Sequence, residues 1–473
     1  MILPKVFEEL CRRRSPNLLS VFRYSSKNQN PFSKTWNILA RDIPILSGMS
    51  KKQSAYPEHA DIVVIGGGFI GSSIAYWLKS RAGEGLNVVV LEKEPTVSML
   101  SKFQNNFNLG TLVQHFSLPE NIHLAQYGAE FFRKAPENLN VDIQYCPKGQ
   151  LVLATEKYAD KLEHNVSVQK EFGIKNELLT PENIVQRYPW INTKDIKLGC
   201  ISREGEGSFN SWNLLKGLIN KSQELGALYV KSEASGFELE QQRDVLMEGV
   251  APGSYKRINK VIYTTPDGEE HSIKFAICIL AAGANSAEIA KLAKVGTGEG
   301  LLQVQLPIEQ REEKIYLVEG LPINTGLNTP IVMDTSGLWL AKEGLENNLL
   351  CGHIPMTTVN PEKFLEDEYY ENIIKPSLIN RVPDCLSIQV KKISSDFHDH
   401  NTYDESGILG PHPYHNNMYL ATGFGKYGCQ HAPGIGRAIA ELVIDSHFTT
   451  IDLTRLHFDR LLTNDALVEF NVY

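Results

Sequence analysis

Three glycines and one glutamate have the spacing of a dinucleotide-binding site. Gly66, Gly68 and Gly71 form a G-x-G-x-x-G motif, and Glu92 follows twenty-one residues after Gly71. In this pattern the first glycine allows a tight turn, the second lets a pyrophosphate approach the backbone, and the third allows close helix packing. The acidic residue then binds ribose hydroxyls. The spacing predicts a site for FAD or NAD, and the motif alone does not choose between them.

The elements around these residues are those that the motif requires. Residues 61–65 form a β-branched run of strand length directly before Gly66, and a second apolar run, residues 86–91, ends at Glu92. The helical spacing of four apolar side chains predicts a helix after the glycines: Ile70, Ile74, Trp77 and Leu78. The N-terminus of such a helix would face the phosphates. Phe69 and Ile70, inside the motif, are also predicted to contact the cofactor.

Two later segments predict strands that join the same sheet. Residues 275–280 form an apolar run that leads into a turn containing Gly283. Residues 418–424 form another, which enters a glycine-rich turn at Gly425 and then a helix with one apolar face. We include Gly283 and Gly425 in the predicted cofactor site. The sequence therefore predicts a nucleotide-binding domain assembled from three separated parts of the chain.

Together these segments resemble the glutathione-reductase-like flavoproteins of the D-amino acid oxidase and sarcosine oxidase superfamily. The resemblance implies FAD as cofactor and an α/β fold, α+β overall, in which a discontinuous FAD-binding domain is joined to a mixed-sheet substrate domain. The FAD-binding domain is expected to comprise residues 57–115, 200–290 and 395–473. The substrate domain is expected to comprise residues 116–199 and 291–394.

Other stretches resemble a mitochondrial branch of this superfamily that is associated with the assembly of respiratory complex I. They are residues 114–122, 189–193, 334–337, 410–413 and 430–437. This resemblance implies a location in the mitochondrial matrix or on the matrix face of the inner membrane. It also implies complex I subunits or assembly intermediates as partners.

The sequence departs from sarcosine oxidases at the residues that bind the substrate carboxylate. Those enzymes use an arginine and a lysine, whereas residues 110–115 here contain no arginine and Gln430 replaces the lysine. The resemblance places His115 beneath the flavin, and it places Tyr427, which replaces a histidine, with Gln430 at the opposite rim. These three residues are therefore candidate substrate contacts. Lys426 is a fourth candidate, because it could stabilise the reduced cofactor's negative charge.

A helix N-terminus predicted at Pro433 would favour negative charge at the same place. Residues 396–401, which include His398 and His400, are interpreted as a polar loop without a metal.

Two functions stay open. The first is an FAD-dependent oxidoreductase that acts on the C–N bond of a small amine or amino acid, with an electron acceptor. The second is an assembly factor whose FAD is structural or redox-sensing. An NAD-dependent dehydrogenase suits the glycine motif but not the C-terminal segment.

Charge and composition exclude several other classes. Residues 1–50 contain eight Lys and Arg against three Asp and Glu, whereas the rest of the chain carries a net charge of −13. The basic, serine-containing start is typical of a mitochondrial transit peptide, with a basic disordered tail as the alternative. The acidic remainder argues against nucleic-acid binding. Seven dispersed cysteines have no zinc-type spacing, and no uninterrupted apolar run is long enough to cross a membrane.

Overall fold

The computed structural model describes residues 56–94, 109–320, 325–326, 328–344, 346–354, 366–385 and 388–470. The predicted transit peptide, residues 1–50, lies outside the described residues. The strands are β1 (His59–Ile65), β2 (Val88–Glu92), β3 (Leu109–Leu112), β4 (Gln150–Ala154), β5 (Asn176–Leu179), β6 (Leu198–Ser202), β7 (Gly207–Asn210), β8 (Leu228–Lys231), β9 (Glu233–Gln241), β10 (Lys256–Thr264), β11 (Glu270–Leu280), β12 (Ile308–Glu319), β13 (Ile331–Met333), β14 (Leu338–Glu343), β15 (Asn348–His353), β16 (Gln389–Asn401), β17 (Ile408–Pro411) and β18 (Met418–Thr422).

The α-helices are α1 (Phe69–Ala82), α2 (Pro119–Arg133), α3 (Ala135–Leu139), α4 (Ala159–Glu171), α5 (Pro181–Arg187), α6 (Ser211–Glu224), α7 (Ser286–Leu292), α8 (Glu366–Tyr369), α9 (Lys375–Arg381), α10 (Gly428–Ile444) and α11 (Asp459–Thr463). A π-helical turn, Tyr370–Ile374, joins α8 to α9. Within the described part of the chain, no helix is both long and apolar enough to cross a membrane.

The first sheet brings the three predicted nucleotide-binding segments together. Its strand order is β17-β18-β11-β1-β2-β8, and β10 and β9 extend it from the first half of β11. Strand β1 pairs in parallel with β2 and β11, and β18 pairs in parallel with β11. Because parallel strands end at the same edge, the turns after β1, β11 and β18 lie together there. The predicted discontinuous α/β architecture is confirmed.

Helices α1 and α10 cover one face of this sheet. Their apolar stripes pack on β1 in one buried cluster that includes Val64, Ile74, Leu78, Ile435 and Ile439. Burying each of these side chains contributes about 1.5–3 kcal/mol relative to leaving it in water. This packing holds the start of α1 and the start of α10 at the same edge of the sheet.

The second sheet is mixed, as expected. Its order is β16-β12-β15-β14-β13-β4-β6-β5, antiparallel except for the parallel β13–β4 pair. Side chains alternate between its faces. On β12, Tyr316 and Val318 pack against the tyrosines and aliphatic residues of the α8–α9 segment, whereas Glu313 and Ile315 point the other way and line a cavity.

Residues 58–473 form one compact unit. Within it, three elements pack differently from what the expected domain boundaries imply. Strand β6 begins before residue 200, and β16 spans residue 395, so both belong entirely to the second sheet. Helix α2, expected in the substrate domain, packs on α10. Gly128 allows this contact, because a Cβ there would lie 2.5 Å from the Gln430 carbonyl oxygen. Buried contacts between distant segments set these boundaries.

Two local expectations were wrong. Residues 396–401, interpreted as a polar loop, are the end of strand β16. Their alternating polar side chains face the cavity on one side and a buried turn on the other. The helix expected to begin at Pro433 begins five residues earlier, at Gly428, so Pro433 lies inside it. A short 3₁₀ turn, Gly425–Tyr427, leads directly into this helix.

Candidate active site

The glycine turn after β1 leaves one open approach to the backbone. Gly66 has φ 105°, and a Cβ there would lie 2.2 Å from the Ala281 carbonyl oxygen. A Cβ on Gly71 would lie 1.9 Å from the Gly66 carbonyl oxygen. At Gly68, by contrast, no described atom lies within 4 Å of an added Cβ. This is the geometry that a pyrophosphate against the backbone needs.

The open side of this turn faces a cavity of about 760 Å³. The cavity is lined by five of the predicted cofactor contacts at the first turn and second strand: Gly66, Gly68, Phe69, Ile70 and Glu92. Gly71 does not line it, which agrees with a role in helix packing. The residues present therefore fit the adenosine diphosphate portion of a dinucleotide.

Glu92 lies directly beside the glycine turn. Its Oε2 atom accepts a hydrogen bond from the Gly67 amide at 2.5 Å, and its Oε1 atom accepts one from the Glu94 amide at 2.8 Å. Burial raises the pKa of the Glu92 carboxyl above its ordinary value, against the effect of these backbone donors. The structure thus places a partly buried carboxyl group at the end of β2, where ribose hydroxyls are bound in this motif.

The two other strand ends contribute Gly283 and Gly425, which both line the cavity. The turn at Gly425 is held by Asp399 on β16, a residue that the sequence analysis missed. Its carboxylate accepts hydrogen bonds from the Thr422 hydroxyl at 3.0 Å, the Gly423 amide, and the Gly425 amide at 3.2 Å. No local sequence signal identifies Asp399, because its partners follow 23 to 26 residues later on another sheet.

The start of helix α10 forms the next part of the cavity wall. Lys426, Tyr427 and Cys429 line it. The Lys426 Nζ atom lies 5.1 Å from the centre of the Tyr427 ring, and that ring packs edge-on against Phe116 at 4.9 Å. The free amides at this helix N-terminus favour a negative charge in front of them. Lys426 and Tyr427 therefore face the cavity, and their contact with a substrate or the reduced cofactor stays a prediction.

Gln430 and His115, the other two candidate catalytic residues, are not among the described residues that line the cavity. The Gln430 side chain accepts a hydrogen bond from the Val113 amide at 2.9 Å and donates one to the Val113 carbonyl at 3.0 Å. His115 is turned toward Glu206, with 3.5 Å between Nε2 and Oε2. The structure corrects the expectation of direct substrate contact, because the resemblance places a segment of the chain but not the direction of each side chain.

His115 and Glu206 form a buried titratable pair behind the cavity wall. Glu206 accepts a hydrogen bond from the Gln114 amide at 2.6 Å. Burial raises the pKa of Glu206 to about 8 and lowers the pKa of His115 to about 4. Both side chains are therefore uncharged near neutral pH.

The opposite wall of the cavity is the face of the second sheet. Its apolar side chains are Ile315, Ile331, Met333, Trp339, Leu350 and Ile354, and its polar ones are Gln150, Glu313, Ser394, Asp396 and His398. The Trp339 indole N–H donates to Glu313 Oε1 at 2.9 Å. Burial, together with the charge of Lys426, lowers the pKa of His398 to about 4, so this imidazole is neutral. The cavity thus joins a dinucleotide cradle to a second, differently lined compartment.

Comparisons with known proteins agree with this geometry. The sequence pattern of the DAO family, described as FAD dependent oxidoreductase, matches residues 61–442. The FAD-dependent oxidoreductase domain-containing protein 1 homolog of Drosophila melanogaster is 40% identical over 89% of this chain and 83% of its own length. Human mitochondrial dimethylglycine dehydrogenase is 23% identical over 83% of this chain, which covers 43% of that longer protein.

Among solved structures, L-proline dehydrogenase from P. horikoshii superposes with a TM-score of 0.68 and 21% identity, covering 87% of this chain and all of that one. This likeness shows the fold. The family match and the glycine cradle together give FAD as the cofactor and exclude the NAD alternative. The chain belongs to the FAD-dependent oxidoreductase domain-containing protein 1 family, within the DAO superfamily of flavoproteins.

Proposed function

We propose that this chain is a mitochondrial flavoprotein of the matrix, or of the matrix face of the inner membrane, that is required for the assembly of respiratory complex I. One observation carries the flavin part of the proposal. A single cavity runs from the Gly68 approach and Glu92 to the start of α10 and the face of the second sheet. FAD spans two such regions, with its adenosine end in the glycine cradle and its ring in front of a helix N-terminus.

The residues of this chain would bind and orient the group. Gly66, Gly68 and Glu92 would hold its adenosine diphosphate portion, and Gly283 and Gly425 would bring backbone close to the remainder. FAD supplies hydride acceptance, which permits oxidation of a C–N bond when a suitable substrate is bound. Lys426 and the first amides of α10 would stabilise negative charge at this end of the cavity.

The assembly role is supported by resemblance and by what the cavity contains. The residues that resemble the complex I-associated branch extend from residue 114 to residue 437. The described lining of the cavity contains no arginine. A substrate carboxylate would thus lack the bidentate partner that arginine provides. Complex I subunits or assembly intermediates are the proposed partners.

Two measurements test this function. The purified full-length protein should show a flavin spectrum, and acid precipitation should release the flavin if the attachment is non-covalent. Cells that lack the protein should contain less assembled complex I on native gels, and the wild-type chain should restore it. Rescue by a Gly68→Val variant without flavin would show that FAD is dispensable for assembly. Unchanged complex I in the deficient cells would contradict the assembly role.

Oxidation of a small amine is the second candidate function. The specific observation in its favour is the second compartment of the cavity, where Glu313, Asp396 and Trp339 face the space next to the α10 turn. We expect sarcosine and dimethylglycine to reduce the flavin slowly, because their carboxylate would face Glu313 and Asp396. Anaerobic stopped-flow bleaching tests this expectation. Rapid, saturable bleaching at low sarcosine concentration would contradict it and would identify Lys426 as the first residue to examine.

A further inference from the structure

A group of buried polar side chains lies directly behind the cavity wall. Its four members come from three segments of the chain, and none is more than 6% exposed: His115, Gln150, Ser202 and Glu206. Both ring nitrogens of His115, Oε1 of Gln150, Oγ of Ser202 and Oε2 of Glu206 have no hydrogen-bond partner among the described residues. Buried polar atoms are nearly always paired with protein or with ordered water. These side chains therefore form a place where water and a proton can be held.

Glu206 lies close to the cavity wall at two places. Its Oε1 atom accepts a hydrogen bond from the Gln114 amide at 2.6 Å, and the preceding residue, Val113, lines the cavity. Its backbone carbonyl accepts a hydrogen bond from the Gly149 amide at 3.0 Å, and the following residue, Gln150, also lines the cavity. Glu206 is thus held against the inner side of the wall.

The same part of the wall is joined to the start of helix α10. The Gln430 side chain accepts a hydrogen bond from the Val113 amide and donates one to the Val113 carbonyl. These two bonds hold the segment that contains Gln114 beside the first turn of α10, where Lys426 lines the cavity. Negative charge is favoured in front of a helix N-terminus. Glu206 therefore lies on the side of the cavity where the charge of a reduced cofactor would be stabilised.

His115 can pair with Glu206 in either protonation state of the carboxyl group. Its Nε2 atom lies 3.5 Å from Oε2 of Glu206. A neutral imidazole has one donor and one acceptor nitrogen, so Nε2 can accept from the carboxylic acid or, in the other tautomer, donate to the carboxylate. Burial lowers the pKa of His115 to about 4 and raises the pKa of Glu206 to about 8. The pair can thus gain or lose one proton while the ring stays neutral.

The other titratable side chains around Glu206 do not compensate its charge. Burial raises the pKa of Tyr145 to about 12 and also raises the pKa of Cys200, and the charge of Glu206 adds to both shifts. Arg133 acts on Tyr145 and Lys170 acts on Cys200, but neither forms an ion pair with Glu206. Among the described residues, Glu206 has no lysine or arginine partner. Its protonation therefore responds to charge that forms in the cavity.

We infer that Glu206, paired with His115, takes up a proton when negative charge forms in the cavity and releases it when that charge is removed. The inference deepens the flavin-dependent function and rests on FAD being bound in the cavity. Two electrons and one proton convert oxidised FAD to its reduced anion. A second proton passes from water at Gln150 to the Glu206 carboxylate, and no other bond changes. Glu206 acts through its charge and is not a catalytic residue, because it does not line the cavity.

The first test is the flavin midpoint potential of the full-length, FAD-loaded protein, measured by spectroelectrochemistry at a series of pH values. For a two-electron couple, each proton taken up with the electrons lowers the potential by about 30 mV per pH unit. Just above pH 8, Glu206 is largely ionised before reduction. There we expect a slope of about 60 mV per pH unit in the wild type and about 30 mV per pH unit in Glu206→Gln.

A matched control and a spectroscopic signature identify the group. Glu204→Gln removes an exposed carboxylate that pairs with Lys175, two residues from Glu206, and should keep the wild-type slope. Infrared difference spectra at the same pH should show the carbonyl stretch of a carboxylic acid appearing on reduction. This band should be present in the wild type and in Glu204→Gln and absent from Glu206→Gln. FAD content and the thermal midpoint of each variant verify that the fold and the cofactor are retained.

The outcomes separate this inference from the proposed function. A wild-type protein without bound flavin would overturn the FAD-dependent function itself. A flavin-loaded wild type with a slope of about 30 mV per pH unit just above pH 8 would overturn the inference alone. The inference would also fail if Glu206→Gln and Glu204→Gln had equal slopes, or if the infrared band persisted in Glu206→Gln. The infrared spectrum of the wild type decides the question even if Glu206→Gln does not fold, because a missing band would overturn the inference.

Discussion

At the residue scale, two glycines of the same motif differ in what an added side chain would meet. At Gly71 the Cβ would meet the Gly66 carbonyl oxygen at 1.9 Å, which is backbone and cannot move aside. At Gly68 the Cβ would project into open space that belongs to the cavity. Gly71 is thus needed for the packing of helix α1 against the turn, and Gly68 is needed for the approach of the cofactor.

We predict that Gly68→Val abolishes flavin retention and leaves the apoprotein folded, because the valine occupies only the cavity. Gly71→Ala should instead lower the thermal midpoint, since overpacking of this kind destabilises by about 1–3 kcal/mol or more. The flavin-to-protein absorbance ratio and thermal unfolding of the apoproteins measure the two effects. A Gly68→Val protein that purifies with full flavin colour would contradict the placement of the pyrophosphate.

The buried pair of Glu206 and His115 makes a pH prediction. From the ordinary pKa of 4.5 up to about 8, the unfolded chain loses the Glu206 proton while the folded chain keeps it, so this group makes stability fall as pH rises. From about 4 up to 6.5, the unfolded chain binds a proton at His115 that the folded chain does not, so this group makes stability rise. The two effects oppose each other below pH 6.5, and only Glu206 acts between pH 6.5 and about 8.

Glu206→Gln should therefore flatten the loss of unfolding free energy between pH 6.5 and about 8 relative to the wild type. The difference should approach, at most, about 1.4 kcal/mol per pH unit. Denaturant unfolding at a series of pH values measures it. Glu204→Gln, which alters an exposed neighbour paired with Lys175, is the control and should leave the slope unchanged. Equal slopes for wild type and Glu206→Gln would show that Glu206 is ionised in the folded protein.

At the element scale, one side chain connects the two sheets at the cavity. Asp399 belongs to β16 of the second sheet, and its three hydrogen-bond donors belong to the last residue of β18 and to the turn that leads from it into α10. That turn presents Gly425, Lys426 and Tyr427 to the cavity. The position of the helix N-terminus at the cavity wall therefore depends on a carboxylate from the other sheet.

We predict that Asp399→Asn weakens FAD binding by about tenfold and lowers stability, because hydrogen bonds to a charged group contribute about 1.5–3 kcal/mol each. Asparagine keeps the size but replaces one acceptor oxygen with a donor that faces backbone amides. Flavin dissociation constants and the flavin midpoint potential measure the change at the ring. Thr422→Val removes only one of the donors and should have a smaller effect. Unchanged affinity and potential in Asp399→Asn would limit Asp399 to a role in folding.

At the scale of the whole molecule, charge divides the chain into two parts. Residues 1–50 carry a net charge of +5, and the remaining residues carry −13. Each predicted cofactor contact belongs to the second part, and the described cavity lining begins at Ile65. Targeting and flavin binding are therefore expected to be separable.

We predict that removal of residues 1–50 leaves the flavin-to-protein ratio and the thermal midpoint unchanged and abolishes mitochondrial import. Cell fractionation and fluorescence of a tagged chain measure localisation, and purification of the shortened protein measures flavin content. Residues 1–50 fused to an unrelated reporter should direct that reporter to mitochondria. A shortened chain still found inside mitochondria would contradict the transit-peptide interpretation.

The strand, glycine turn, helix and acidic residue around Gly66–Glu92 could be predicted from the sequence because each follows the last along the chain. A β-branched run, a glycine spacing and an apolar stripe act over a few residues, and they do not depend on the rest of the fold. The strands that contain residues 275–280 and 418–422 could be predicted for the same reason. So could FAD, once the family resemblance was added to the motif.

Only the tertiary structure decided which way the site's side chains point. Gln430 is held by Val113 from a segment more than 300 residues away, while its neighbour Cys429 faces the cavity. The pairing of Glu313 with Asp396 depends on the register of two strands, and the support of Gly425 by Asp399 depends on contact between two sheets. Such contacts join segments that are far apart in the chain, and a one-residue change of register would turn each side chain to the opposite face. Local sequence determined the cofactor cradle, whereas packing between distant segments determined the compartment beside it.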